Sequence, residues 1–299
     1  MIPWADDPYW PVPLEHPALS LSAIHLWRAN LDQPTEWLQH VLPLLSADER
    51  TRAQRLLKQR DQQHFIAGRA ILRLLLARYL TLGAEQVCFV YGPYGKPELA
   101  APLNSSQMRF SVSHSGGVAL YAFTYSRSIG VDIEQIRSMD SMMSIAQRFF
   151  APAEAERLEQ LTSEAQEQAF FGMWTCKEAC LKAWGKGLAQ ALDEAEIVYL
   201  PGQAPRLYAV AGDVEAAADW SLWSVQPRPG YQAALAIEGD CSDLRCFTFS
   251  NVDPISKMNL KTTPGSHTTH SHEYGVTHRV SHAARKLAIK RATRCLYQE

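Results

Sequence analysis

No stretch of the 299-residue chain approaches the ~20 consecutive apolar residues of a membrane span, although 46% of its residues are hydrophobic. The densest apolar segment, 70–82, is broken by Arg73 and Arg78. Charge of one sign is also missing. Twenty-nine Lys and Arg against 31 Asp and Glu leave a net charge of −2, which argues against a nucleic-acid partner. The opening residues, Met1-Ile2-Pro3-Trp4-Ala5-Asp6-Asp7, carry neither a basic nor an apolar region, so no secretory signal is expected. The six cysteines include no Cys-x-x-Cys pair, and free thiols in the cytoplasm are the reading that follows. Neither a Gly-x-Ser-x-Gly elbow nor a P-loop occurs. Phe and Trp are absent from the last fifty residues, where eight Lys and Arg face three acids and five of the ten histidines gather. Such a composition predicts a basic, His-rich and largely disordered tail over 246–299.

The rest has the composition of a globular protein, with length for about two domains of ~150 residues. Residues 1–20, rich in Pro and Trp, read as an irregular arm. Alternation predicts a strand over 23–28. Ser46-Ala47-Asp48-Glu49 forms a capping box that starts a helix, interrupted near Arg60-Asp61 and stopped by Gly83. Strands follow over 87–91, 109–113, 118–125 and 130–134, with turns at 92–97 and at Gly116-Gly117. Helices are expected over 144–150, 152–161 and 166–184, then strands over 197–200, 206–210, 220–225 and 231–237. The order helix, strand, strand-turn-strand occurs twice, with a boundary near Arg127-Ser128. This gives a first α+β half over 21–127 and a second over 128–245.

Two segments carry chemistry. In Gly130-Val131-Asp132-Ile133-Glu134, side chains alternate, so Asp132 and Glu134 share a face. Carboxylates this close repel unless a cation lies between them, and oxygen-only ligands suit a hard ion such as Mg²⁺. From the pentapeptide alone, two ordinary acids on a solvent-facing strand are the simpler explanation. In the helix 170–182, Trp174, Glu178 and Lys182 are four apart and share a face, which makes Glu178 a third carboxylate and Lys182 a phosphate partner. A plain surface salt bridge between the two is the alternative. Ser111-Val112-Ser113-His114-Ser115 is not a catalytic triad, because neighbours on a strand face opposite ways. It suits a phosphate-binding strand end.

Taken together, 130–134 and Trp174-x-x-Lys177-Glu178-Ala179-x-x-Lys182-x-x-Gly185-x-Gly187-Leu188 resemble the two signature motifs of the 4′-phosphopantetheinyl transferases. The likeness is to the surfactin-synthetase-activating type, and closest to its cyanobacterial heterocyst-glycolipid branch. Tyr94-Gly95-Lys96-Pro97 and 110–115 match two further family blocks, and the resemblance spans about residues 20–240. It implies an α+β fold, a pseudo-twofold pair of similar halves, each a long helix packed on a small antiparallel sheet. It implies transfer of the phosphopantetheine arm of coenzyme A, the co-substrate, to a serine of an apo carrier protein, with Mg²⁺ or Mn²⁺ and release of 3′,5′-ADP. The carrier could belong to a fatty-acid, polyketide, nonribosomal-peptide or glycolipid synthase, and the enzyme is expected to act as a monomer. By motif position, the resemblance makes Asp132, Glu134 and Glu178 the metal carboxylates. Glu178 would also be the base, and Lys182 the group that stabilises the leaving pyrophosphate. Ser113 and His114 would hold coenzyme phosphate, Lys96 and Pro97 would border the adenine, and Arg52 would meet the 3′-phosphate. Three departures stand out: Glu49 where some members are basic, Ser111 for a common Asn, and Cys180 for an aromatic. The complete set Asp132, Glu134, Glu178 and Lys182 argues against a non-catalytic carrier-binding module, and the long second motif argues against an unrelated Mg²⁺-dependent hydrolase.

Overall fold

The structure is a computed structural model that describes residues 10–186, 192–200 and 203–251. The motif residues Gly187 and Leu188, and the tail expected after Ser250 apart from Asn251, lie outside the described residues. The chain runs through β1 (Ile24–Asn30), α1 (Thr35–Val41), α2 (Ala47–Gln54), α3 (Gln59–Leu80), β2 (Phe89–Tyr91), β3 (Pro97–Leu99), β4 (Met108–Ser115), β5 (Val118–Tyr125) and β6 (Ile129–Gln135). It continues through α4 (Met142–Phe149), α5 (Pro152–Glu159), α6 (Ser163–Ala183), β7 (Ala195–Val198), β8 (Arg206–Val210), α7 (Val214–Ala217), β9 (Trp220–Val225), β10 (Tyr231–Glu238) and β11 (Leu244–Thr248). This is an α+β architecture.

The long helices form where the sequence offers an apolar stripe and a defined start. The capping box is present at α2, where the Ser46 backbone N–H donates to Glu49 Oε2 at 3.0 Å. The helical break falls at 55–58 rather than at Arg60-Asp61, so Asp61 lies in the first turn of α3, where the helix dipole favours an acid. Thr81, not Gly83, caps α3: it takes the left-handed conformation with φ 54°, a position glycine usually fills.

Four layers result. Helix α3 buries Ala67, Ile71 and Leu75 against Trp27, Tyr121 and Phe123 on one face of a sheet ordered β11-β1-β5-β4. The other face of that sheet, with Ile24, Leu26 and Leu120, packs on Val131, Ile133 and Leu235 of a second sheet ordered β6-β10-β9. Helix α6 covers the far side of the second sheet, with Cys176, Ala179 and Ala183 against Ala234 and Ala236. Gly130 permits this contact. A Cβ there would stand 1.9 Å from the Ala179 carbonyl oxygen, so helix and strand touch backbone to backbone.

Two expectations need correction. The segment 246–299 does not leave the fold at 246, because β11 continues to Thr248 and pairs with β1, Leu26 opposite Cys246 and Trp27 opposite Phe247. That pairing is parallel, so the first sheet is mixed rather than purely antiparallel. Leu244 and Cys246 pack on one core and Phe247 on the other, and burial on both faces holds the segment in the sheet.

Candidate active site

The site forms along β6, an end strand of its sheet. The outer edge of such a strand leaves backbone donors and acceptors that need partners. Side chains supply them here. The Val131 N–H donates to Ser111 Oγ at 3.0 Å, and the Gln135 N–H to Ser115 Oγ at 3.2 Å. The Ile129 carbonyl accepts from Lys96 Nζ at 3.1 Å, and the Val131 carbonyl from Lys182 Nζ at 3.1 Å. Strand β4, the end strand of the other sheet, and the last turn of α6 are thereby tied to β6.

On its α6-facing side β6 carries Asp132 and Glu134, both fully buried, and α6 brings Glu178, buried as well. Lys182 Nζ lies 2.6 Å from Asp132 Oδ1 and 2.9 Å from Ser113 Oγ. The Ser113 hydroxyl donates to the same Asp132 oxygen at 2.7 Å, and the Ser115 hydroxyl to Glu134 Oε2 at 2.8 Å. One oxygen of each acid, Asp132 Oδ2, Glu134 Oε1 and Glu178 Oε1, is buried with no hydrogen-bond partner. Burial, reinforced by the charge of Asp132, pushes the Glu134 pKa up to about 8 and that of Glu178 well above the usual carboxylate range. Three carboxylates against one ammonium are short of positive charge, and orphaned buried oxygens are costly. The donor set therefore fits a hard cation. Among the described residues, no three or more His, Cys, Asp or Glu side chains stand gathered as a metal-binding group; the Lys182 ammonium lies on Asp132 Oδ1.

His114 rises from the opposite face of β4, on the α3 side. Its side chain is exposed. Lys96 spends its ammonium on the carbonyls of Ile129 and Lys182, the latter at 2.6 Å. Burial lowers its pKa to about 8. Lys96 and Pro97, with Asn104, Arg109, Ser128 and Trp184, line a cleft of about 250 Å³. Arg52 is exposed on α2, its guanidinium 5.4 Å from the centre of the Phe65 ring.

The structure thus brings Ser113, Asp132, Glu134, Glu178 and Lys182 together, with Lys96 attached through the Lys182 carbonyl. It sets Pro97, His114 and Arg52 outside that cluster. Glu49, noted for replacing a basic residue, is buried and serves as the counter-ion of Arg73 at 2.8 Å. Cys180 packs in the apolar contact between α6 and the second sheet. Sequence reasoning missed Arg69. It stands one helical turn after Phe65, within 6 Å of the Phe65, Phe89 and Tyr91 ring centres, a cationic group held by aromatic faces.

Buried carboxylates, an ammonium and hydroxyls at the seam of two sheets make up the chemistry of a phosphoryl-transfer site, where positioning and charge neutralisation do most of the work. Comparison with known proteins agrees. Residues 128–236 match the model of the 4′-phosphopantetheinyl transferase superfamily, and residues 27–125 match that of the 4′-phosphopantetheinyl transferase N-terminal region. The 4′-phosphopantetheinyl transferase HetI of Nostoc sp. is 42% identical over 216 residues, which cover 72% of this chain and 88% of HetI. A 4′-phosphopantetheinyl transferase of Bacillus subtilis is 31% identical over 52% of this chain and 67% of its own length. Sfp of Bacillus subtilis is 28% identical over 56% and 73%. The chain belongs to the 4′-phosphopantetheinyl transferase superfamily and is a transferase.

Proposed function

We propose that this chain moves the 4′-phosphopantetheine arm of coenzyme A onto a serine hydroxyl of an apo carrier protein and releases 3′,5′-ADP. The observation that carries this reading is the cluster of Asp132, Glu134 and Glu178, each with an unpartnered buried oxygen beside Lys182. Asp132, Glu134 and Glu178 would hold the divalent cation, Mg²⁺ or Mn²⁺. Bound there, it supplies positive charge that keeps the acids ionised and neutralises the pyrophosphate. Glu178 accepts the proton of the serine hydroxyl, directly or through water. The serine oxygen forms its bond to the phosphorus that bears the pantetheine arm as the bond to the leaving 3′,5′-ADP oxygen breaks. The Lys182 ammonium, already shared between Asp132, Ser113 and the Val131 carbonyl, turns toward the charge that develops on that oxygen.

Arg52, Arg69, Ser113 and His114 line the path of the coenzyme phosphates, and a guanidinium suits such bidentate contacts. With its ammonium bound to backbone, Lys96 offers its aliphatic stem and, with Pro97, a wall of the cleft for the adenine. The two sheet-and-helix halves, each with one long helix, form a pseudo-twofold pair around this site. The five free cysteines among the described residues fit a reducing cytoplasm, and the carriers would be those of fatty-acid, polyketide, nonribosomal-peptide or glycolipid synthases. The test is intact mass spectrometry of an apo acyl or peptidyl carrier incubated with coenzyme A, with and without Mg²⁺. A metal-dependent gain of one phosphopantetheinyl mass, lost in Glu178→Gln, is the expected result. No gain on either carrier with folded, coenzyme-binding protein would overturn the proposal.

A further inference from the structure

Ser111, Ser113 and Ser115 lie two apart on β4, so their hydroxyls share one face. All three reach across the seam to β6, but they do different things there. Ser111 only accepts the Val131 N–H. Ser115 accepts the Gln135 N–H and also donates to Glu134 Oε2. Ser113 donates to Asp132 Oδ1. In each acid the oxygen that a serine holds is satisfied, and the other oxygen is the one left without a partner. A hydroxyl has a single proton to give, so each serine fixes its carboxylate through one oxygen and leaves the second without a partner.

We infer that Ser115, with Ser113 beside it, is a positioning residue for the cation: it holds Glu134 by one oxygen so that the other is presented as a ligand. This rests on the cation-binding reading of Asp132, Glu134 and Glu178. Ser115 touches neither the coenzyme phosphates nor the carrier serine in that reading, and acts through Glu134. Partners of metal ligands commonly set affinity by ~10–100-fold.

The test titrates Mn²⁺ into the full-length chain by calorimetry, with and without coenzyme A. Ser115→Ala is expected to weaken Mn²⁺ binding ~10-fold or more, and to raise the metal concentration needed for half-maximal transfer while the rate at saturating metal changes less. Ser115→Thr restores the hydroxyl and should restore the affinity. Ser111→Ala removes a matching acceptor of a β6 N–H but no carboxylate contact, so it should lower the melting temperature and leave Mn²⁺ affinity unchanged. If Ser115→Ala does not fold, Ser115→Cys keeps the size, loses the strong donor and carries the same expectation. Mn²⁺ affinity of Ser115→Ala or Ser115→Cys within twofold of wild type overturns the inference alone. A wild-type chain that binds no Mn²⁺ under either condition overturns it together with the cation reading.

Discussion

Gly130 sets the distance between α6 and β6, and replacing it tests whether that distance makes the site. In Gly130→Ala the new Cβ would lie 1.9 Å from the Ala179 carbonyl oxygen and 2.5 Å from the Ala183 nitrogen. Both are helix backbone, so no side chain can swing aside. Reaching ordinary contact at 3.4 Å requires helix and strand to separate by about 1.5 Å. Glu178 precedes Ala179 and Lys182 precedes Ala183, so the separation carries both away from Asp132 and Glu134. It stretches the 2.6 Å contact of Lys182 with Asp132 beyond hydrogen-bonding range. Overpacking of this kind costs ~1–3 kcal/mol, a fall in melting temperature of ~2–4 °C per kcal/mol for a domain of this size. A catalytic group misplaced by 1 Å costs ~10²-fold in rate. Release of 3′,5′-ADP would be followed on an apo carrier below the melting temperature, beside a thermal melt. Gly172→Ala is the control: it sits on the same helix, where a Cβ would meet the Tyr199 ring at 2.2 Å. It should lose stability and keep most of its rate. Gly130→Ala with a rate within threefold of wild type would refute the claim that backbone contact sets the site.

Arg69→Gln should raise the KM for coenzyme A ~10–100-fold with a smaller change in kcat, the signature of a lost charged hydrogen bond; an unchanged KM would remove Arg69 from the coenzyme path. Lys177, buried against Glu154 at 2.7 Å and donating to the carbonyls of Leu192 and Ala195, braces α6 on the side away from the carboxylates. Lys177→Met should cost ~3–5 kcal/mol in urea unfolding by leaving Glu154 buried without its cation, and Lys177→Met/Glu154→Gln should recover part of it; no recovery would show that the pair is not the source of the loss. Burial lowers the pKa of His25 and of His16 to about 4. The unfolded chain takes up these protons near pH 6.5 and the folded chain only near 4, so the unfolded state binds more protons in between and stability falls as pH drops through that window. Melting curves from pH 7 to 4 should show a shallower decline in His25→Gln than in wild type, and parallel curves would count against the cost of protonating His25.

What could be read from the sequence, and what could not, follows from the range of the interactions. Alternation placed β1 and β4, and the Gly116-Gly117 break after β4 marked β5 as the second arm of a hairpin. The Asp132-Glu134 spacing and the 174-178-182 stripe were legible too, as each is set within one element. Strand β11 was not legible, because its partner β1 lies more than two hundred residues away and only that pairing buries Phe247 beside Trp27. The Glu49–Arg73 pair and Arg69 were missed because their surroundings come from other elements: α3 for Glu49, the rings of Phe89 and Tyr91 for Arg69. The serines are the instructive case. Polar residues at 111, 113 and 115 read equally well as the wet face of a strand, and nothing local distinguishes the two. Their meaning appears only once β4 and β6 meet as the end strands of different sheets, with no backbone ladder between them. An edge left open there would strand the donors and acceptors of β6 in the interior. Two of the side chains that satisfy that edge also hold carboxylates, Lys182 on Asp132 and Ser115 on Glu134, so the joint between the sheets and the chemistry of the site share hydrogen-bonding groups.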